Sequence, residues 1–433
     1  MEAIQTVKRN PLSRWDFLAG LILLMEMSSL RLMWGVFFGW KLAYLSAAVL
    51  GLLSIYGWLY RQQLRSLIQE PILKGWFVFW VIWPFFHWLV GNLYELRQAG
   101  LYGFLFGLII ASALWIRRCG PDALTILGGL VFAAEAAGII LSFIAPQQFE
   151  GLFQWTGREN TFQGRAFGWA LQPNQQARDL VLLFSVWAAF LPELPYRYRL
   201  AAYGGLGFLI LLTGSRAAFV AALLCFLVYA GRTFFRMDRG RLWICPRPLL
   251  TAGISVCLLL TASPLLIRGA AIMIPDYKGT YGILERMDSL LHGKFTQVSQ
   301  RGESTVEERL SLKEFFFELS AERPLWGYGI GAQERLKKRG ELVASSHDQY
   351  LMIAFEGGWP LVLFYLFLNL TLHRHPQRSL LERRQRVPFV LQYLLVVFWV
   401  GFFTNTLLDS RTYACTTGFL IGLMNTNRPE ECR

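Results

Sequence analysis

The sequence predicts an all-α integral membrane protein with about twelve transmembrane helices and one large helical loop on the outer side. Three observations predict it. Apolar residues fill 54% of the 433 positions and charged residues only 16%, a balance unlike that of soluble domains. The apolar residues run in unbroken blocks, such as Leu42–Tyr60, Leu101–Ile116, Leu124–Ala145 and Val387–Leu408. At 1.5 Å rise per residue, blocks of this kind match a hydrocarbon core of roughly 30 Å. Finally, basic clusters punctuate the blocks and collect on alternate sides.

In order, the expected spans are 16–38, 42–60, 75–92, 101–116, 124–146, 177–194, 200–213, 217–231, 249–267, 349–371, 387–408 and 412–425. Met1–Arg14 carries Lys8, Arg9 and Arg14 before the first block and lacks a small-residue cleavage site, so it reads as a retained signal-anchor. With the N-terminus inside, the inside segments hold 22 Lys and Arg and the short outside segments hold six. That asymmetry follows the positive-inside rule, places both termini in the cytoplasm, and accounts for much of the net charge of +13 without a nucleic-acid partner. The six cysteines fall outside the outer loops, so no disulfide framework is implied.

The chain therefore divides into a bundle of nine spans over 1–268, an outer loop over 269–347, and three C-terminal spans over 348–433. The loop carries eleven Lys and Arg, which long translocated loops tolerate. Within it, Ser304–Ala321 has the pattern of an amphipathic helix, with Phe315-Phe316-Phe317 expected to touch the membrane interface or the bundle. Pro324 and the glycines of Gly327-Tyr328-Gly329-Ile330-Gly331 end that helix and impose a turn.

Arg216 stands out because it sits in a tight outer corner, Thr213-Gly214-Ser215-Arg216, between two apolar runs. A guanidinium near membrane depth needs compensation. It can snorkel, pair with Glu135 or Asp179, or form an anion site, since its planar fork suits phosphate oxygens. Arg309 lies on the loop helix with Arg301 upstream; each could be a solvated arginine paired with Glu303, Glu307 or Glu308, or part of a two-arginine diphosphate grip. His347 opens the tenth span and could cap it or accept a proton from a hydroxyl near neutral pH. No cluster of His, Cys, Asp or Glu has metal-ligand spacing. The glycine run lacks the Lys-Ser/Thr of a nucleotide loop, and Ser215 with His347 lacks the surroundings of a serine nucleophile.

Several ordered motifs resemble the O-antigen ligase and O-antigen polymerase superfamily of bacterial envelope enzymes. They are Arg165 through Gly168 with Pro173-Asn174 and Ala177; Thr213 through Ala218; Arg309 followed by Glu322-Arg323-Pro324-Leu325-Trp326-Gly327-Tyr328-Gly329-Ile330-Gly331; and Ser346-His347-Asp348-Gln349-Tyr350-Leu351 continuing into Glu356-Gly357-Gly358-Trp359-Pro360-Leu361. The resemblance spans roughly 165–365. It implies a type C glycosyltransferase-like fold in the bacterial inner membrane with its active site on the periplasmic face.

It implies, further, a donor glycan on undecaprenyl diphosphate, with a lipid A-core acceptor for a ligase or a lipid-linked glycan acceptor for a polymerase, in contact with membrane lipid and with no metal, nucleotide or other cofactor. Carried over by position, Arg216 and Arg309 would hold the diphosphate and His347 would activate the acceptor hydroxyl. Arg165, Asn174, Arg301, Asp348 and Tyr350 are the further candidates for substrate contact. Asp348 stands where the family often has Asn, and a carboxylate there is expected to raise the histidine pKa or share the base role. A twelve-span transporter is the alternative from another class, but transporters of that size usually have related halves and a long central inside loop, whereas the largest loop here is outside and near the C-terminus.

Overall fold

The computed structural model describes residues 12–39, 41–90, 96–157, 165–188, 196–238, 241–244, 306–341, 346–372, 383–404 and 406–424. The ninth expected span, His292 and Arg301 lie outside the described residues. Helices dominate: α1 (Arg14–Met27), α2 (Arg31–Phe38), α3 (Leu42–Leu59), α4 (Arg61–Ile68), α5 (Pro71–Phe77), α6 (Trp83–Leu89), α7 (Leu96–Cys119), α8 (Pro121–Ile144), α9 (Glu150–Thr156), α10 (Pro173–Trp187), α11 (Tyr196–Thr213), α12 (Arg216–Phe234), α13 (Val306–Glu322), α14 (Ala332–Lys338), α15 (Gln349–Gly357), α16 (Trp359–Thr371), α17 (Arg383–Gly401) and α18 (Arg411–Met424). A short antiparallel ribbon, β1 (Phe235–Asp238) with β2 (Arg241–Ile244), pairs Phe235 with Ile244 after α12.

Among the described residues, three helical stretches are long and apolar enough to cross a bilayer: Pro71–Leu89, Gln98–Cys119 and Pro121–Ile144. The first of these runs from α5 through a π-helical turn, Val78–Ile82, into α6. The expected span 16–38 is instead two helices, α1 and α2, bent by 95°. Ser28 and the left-handed Ser29 sit at the bend, and the Ser28 hydroxyl donates to the Leu24 carbonyl, competing with the helical ladder. The span 349–371 is likewise broken at Gly358, whose φ of 83° is followed by Pro360 at the start of α16.

Helix α10 forms the hub. It packs on α8, α11, α12, α17 and α18, and its residues Gln176 through Val186 are all buried. Beside it α7 and α18 run parallel in the most intimate contact of the fold. A Cβ at Gly418 would overlap the Ile109 carbonyl oxygen, and one at Gly422 would overlap the Ile116 side chain and lie 2.6 Å from the Ala113 carbonyl oxygen. Four-residue spacing puts both glycines on one helix face, which lets the backbones close up.

This seam fixes the two ends of the bundle. At the C-terminal end of α7, Arg118 pairs with Asp16 at 3.0 Å and Arg117 with Glu70 at 3.2 Å. Asp16 also completes a capping box with Ser13 at the start of α1. Near the N-terminal end of α7, Gln98 donates to Asp409 at 3.0 Å, just before α18 begins. Twenty residues of helix separate Gln98 from Arg118, about 30 Å at helical rise, the thickness of a hydrocarbon core. The candidate site lies at the Asp409 end.

Candidate functional site

The site is assembled around the C-terminal end of α17, residues 398–403. Trp399 donates from Nε1 to the Ala217 carbonyl at 2.9 Å and packs on Phe403 with ring centroids 4.8 Å apart. That contact brings in the first turn of α12 and hence Arg216, the first residue of that helix. From the other side, Lys313 of α13 donates to the Phe402 carbonyl at 2.7 Å and lies 5.4 Å from the Phe403 ring centroid. Tyr350 closes the wall, its hydroxyl donating to the Phe398 carbonyl at 3.1 Å and its ring 4.8 Å from Phe402. Arg216 and His347, 131 positions apart in the chain, thus adjoin one end of one helix.

The corner that presents Arg216 is built by its neighbours. Gly214 takes a φ of 63°, which turns the chain between α11 and α12. Arg165, buried, donates from Nε to the Thr213 carbonyl at 2.8 Å and from Nη2 to Asn174 Oδ1 at 2.7 Å. The Ala166 amide donates to the Leu212 carbonyl at 3.0 Å. Carbonyls at a helix C-terminus lack intrahelical donors, and Arg165 with Ala166 supplies them here. Arg165 and Asn174, expected to touch substrate, are thus brought together as a brace for the Arg216 corner. Asp179, considered as a partner for Arg216, is instead paired with Arg178 at 2.9 Å and accepts a 2.7 Å hydrogen bond from Ser410. Arg216 itself is half-buried, and its guanidinium adds to the positive end of the α12 dipole.

On the opposite wall, α13 lies along α15. Phe316 is fully buried against Phe355, with centroids 5.2 Å apart, while Phe315 and Phe317 on either side are exposed. The triplet thus packs on its neighbours through Phe316, as one of the two expectations had it, while Phe317 also meets Trp359 at 5.8 Å. Anchoring Phe316 sets the azimuth of the helix, so that Lys313 reaches Asp348, Nζ to Oδ2 at 2.9 Å. Arg309 is one turn earlier on the same face. Asp348 also caps α15, its Oδ1 accepting from the Tyr350 amide at 2.9 Å and the Leu351 amide at 3.2 Å.

His347, between Ser346 and this cap, has a φ of 51°, a left-handed conformation unusual for a residue with a Cβ. It persists because Ser346 and Asp348 hold both sides: the Ser346 hydroxyl donates to the Asp348 carbonyl at 2.9 Å and accepts from the Asp348 amide at 3.3 Å. The His347 pKa is pushed down from the ordinary imidazole value, first by burial and then by the nearby charges of Arg309, Lys337 and Lys313. This corrects the expected rise. The carboxylate of Asp348 is occupied by Lys313 and by the helix cap, so the cations dominate. A histidine with a lowered pKa is neutral at pH 7 and has a free lone pair.

Lys313 is the residue that sequence reasoning missed. Its signal was present as the i, i+4 spacing from Arg309, but nothing local revealed that it would bridge Asp348 to α17. Among the described residues, no group of three His, Cys, Asp or Glu side chains has the geometry to hold a metal ion.

Residues 201–366 match the family model described as O-antigen ligase. This stretch is therefore similar to the O-antigen ligase superfamily. The match includes Arg216, Arg301, Arg309, His347, Asp348 and Tyr350, and leaves Arg165 and Asn174 on its N-terminal side. No curated protein matches the chain. The match supports reading the chain as a membrane glycosyltransferase of ligase or polymerase type.

Proposed function

We propose that the protein transfers a glycan from undecaprenyl diphosphate to an acceptor hydroxyl on the periplasmic face of the inner membrane, as a ligase with lipid A-core as acceptor. Twelve spans with both termini cytoplasmic are part of this reading. What supports it is that the α12 corner bearing Arg216, the α13 face bearing Arg309 and Lys313, and the turn bearing His347 all pack against the end of α17.

In this mechanism His347 takes the proton of the acceptor hydroxyl as its oxygen attacks the anomeric carbon. The new C–O bond forms as the bond from that carbon to the phosphate oxygen breaks, and the leaving undecaprenyl diphosphate carries away the electron pair. Direct displacement inverts the anomeric carbon. Negative charge grows on the departing oxygen, and fixed guanidinium groups stabilise it more in the transition state than in the ground state. Lys313 keeps the Asp348 carboxylate turned away from His347 and adds to the cationic field that keeps the imidazole unprotonated.

The test is transfer by reconstituted protein. His347→Ala is expected to lose roughly 10²–10⁴-fold in rate, as for removal of a general base. Arg216→Ala is expected to lose on the order of 10²–10³-fold, as for removal of a transition-state donor. Both variants are expected to insert and accumulate. Full activity in both removes the mechanism. A deletion strain separates ligase from polymerase: loss of a ligase leaves polymerised glycan on the lipid carrier, whereas loss of a polymerase leaves single repeat units on the core.

A further inference from the structure

The turn after α13 builds a second feature that transfer chemistry does not use. Arg323, Pro324, Leu325, Trp326 and Gly327 form, with Phe86 and Val90, an open groove of about 560 Å³. Its floor is apolar and rigid. Trp326 stacks on Trp83 at 6.0 Å and lies 5.5 Å from Phe86. The Trp359 amide donates to the Pro324 carbonyl at 2.8 Å, and the Tyr328 and Gly329 amides donate to the Phe355 and Glu356 carbonyls at the end of α15, at 2.8 and 2.9 Å. Gly327 and Gly358 each press on the other segment's backbone: a Cβ on Gly327 would lie 2.5 Å from the Glu356 carbonyl carbon, and one on Gly358 would overlap the Leu325 carbonyl oxygen.

Although built in, the groove wall faces outward: Leu325 is 60% exposed and Trp326 53%. It lies where the apolar stretch Pro71–Leu89 ends, beside the exposed Phe85 and Trp88. Exposed aromatics at the end of a span are the signature of the headgroup level. Arg323 is the groove's charged side chain. Its guanidinium lies 4.6 Å from the Tyr328 ring centroid, and among the described residues it forms no ion pair. An apolar slot ending in such a cation complements a lipid with an anionic phosphate.

We propose that this groove binds an anionic phospholipid of the surrounding leaflet, with an acyl chain against Phe86, Val90, Leu325 and Trp326 and its phosphate at Arg323. This lipid is distinct from the glycan donor. Fourteen residues separate Arg309 from Arg323 along and just past α13, about 20 Å at helical rise, too far for one diphosphate to reach both. The bound lipid would fasten the α13–α14 turn to the bilayer and so hold the helix that carries Arg309 and Lys313.

Native mass spectrometry of the detergent-solubilised full chain tests this with phosphatidylglycerol and phosphatidylcholine as probes. Phosphatidylglycerol is expected to be retained at least fivefold better than phosphatidylcholine. Arg323→Gln is expected to abolish the preference and Arg309→Ala to leave it intact, with millimolar inorganic phosphate unable to compete. Equal retention of both lipids by the wild-type chain overturns the proposal, and this comparison needs no variant to fold. So does an unchanged preference in a monodisperse Arg323→Gln protein, or displacement of phosphatidylglycerol by undecaprenyl phosphate, which would assign the groove to the donor tail.

Discussion

Two charged regions lie at the same end of the bundle and are organised on opposite principles. In the first, cations and carboxylates alternate inside the helices: Arg411 pairs with Glu26, Arg178 with Asp179, and Ser410 donates to Asp179. All five of these side chains are buried, and they lock the α1–α2 corner and α10 to the start of α18. In the second, around His347, the neighbouring charges that act most on the imidazole are all positive. Burying a charge is tolerated when an opposite charge and hydrogen bonds satisfy it. A place where cations gather around a neutral base is instead suited to receive an anion from outside. Charge balance, rather than burial alone, separates the scaffold from the site.

The largest effects should divide along that line. His347→Ala and Arg216→Ala should slow transfer by the factors set out above with normal accumulation. Arg411→Ala should do the reverse. Leaving buried Glu26 with only Arg31, 3.9 Å away, as its counter-charge should cost a few kcal/mol, below the roughly 3–5 kcal/mol of a fully unpaired buried charge, seen as loss of folded protein in the membrane fraction. If Arg411→Ala accumulates normally, the balanced network is not holding the corner.

Next in size is Arg309→Ala, expected to slow turnover on the order of 10²-fold with little change in yield. Arg309→Lys should recover part of that rate, since the charge remains and the bidentate fork is lost. Equal yields but equal rates for wild type and Arg309→Ala would remove α13 from the site.

A subtler test uses pH. Because the His347 pKa is lowered, the base is unprotonated through neutrality, and activity should fall only as the pH drops below the ordinary imidazole range near 6.5. Lys313→Met removes one of the cations that lower it and frees the Asp348 carboxylate, and both changes favour the imidazolium. The acidic limb should therefore move upward in pH, with the rate on the alkaline plateau less affected. An unmoved limb would show that Lys313 does not act on His347.

The smallest expected effect is at the cap. Asp348→Asn can still accept from the Tyr350 and Leu351 amides, so stability should change by well under the roughly 1 kcal/mol typical of losing a cap. The Lys313 ion pair would be lost, and Asp348→Ala should cost more than Asp348→Asn in thermal denaturation.

The comparison also shows what the sequence made legible. The helical membrane class followed from block length and charge placement, and Arg216, Arg309 and His347 followed from ordered motifs, because both signals are local. The loop helix was expected over Ser304–Ala321 and is seen over Val306–Glu322. What escaped was non-local. The wall made by Phe398, Trp399, Phe402 and Phe403 joins α12, α13 and α15 through contacts of 48 to 182 positions in sequence, which leave no periodic trace. The 95° bend at Ser28–Ser29 was hidden because both helices are equally apolar. The contact of Arg165 with the Thr213 carbonyl was hidden because a phosphate and a helix-end carbonyl attract the same guanidinium.

The most direct test of the cationic rim is the affinity of purified protein for undecaprenyl diphosphate, since the product of the proposed reaction bears the charge that would develop during transfer. Wild type should bind it at least tenfold more tightly than either Arg216→Ala or Arg309→Ala, with the double variant weaker still, while Arg323→Gln binds as wild type does. Unchanged affinity in the folded double variant would contradict the account.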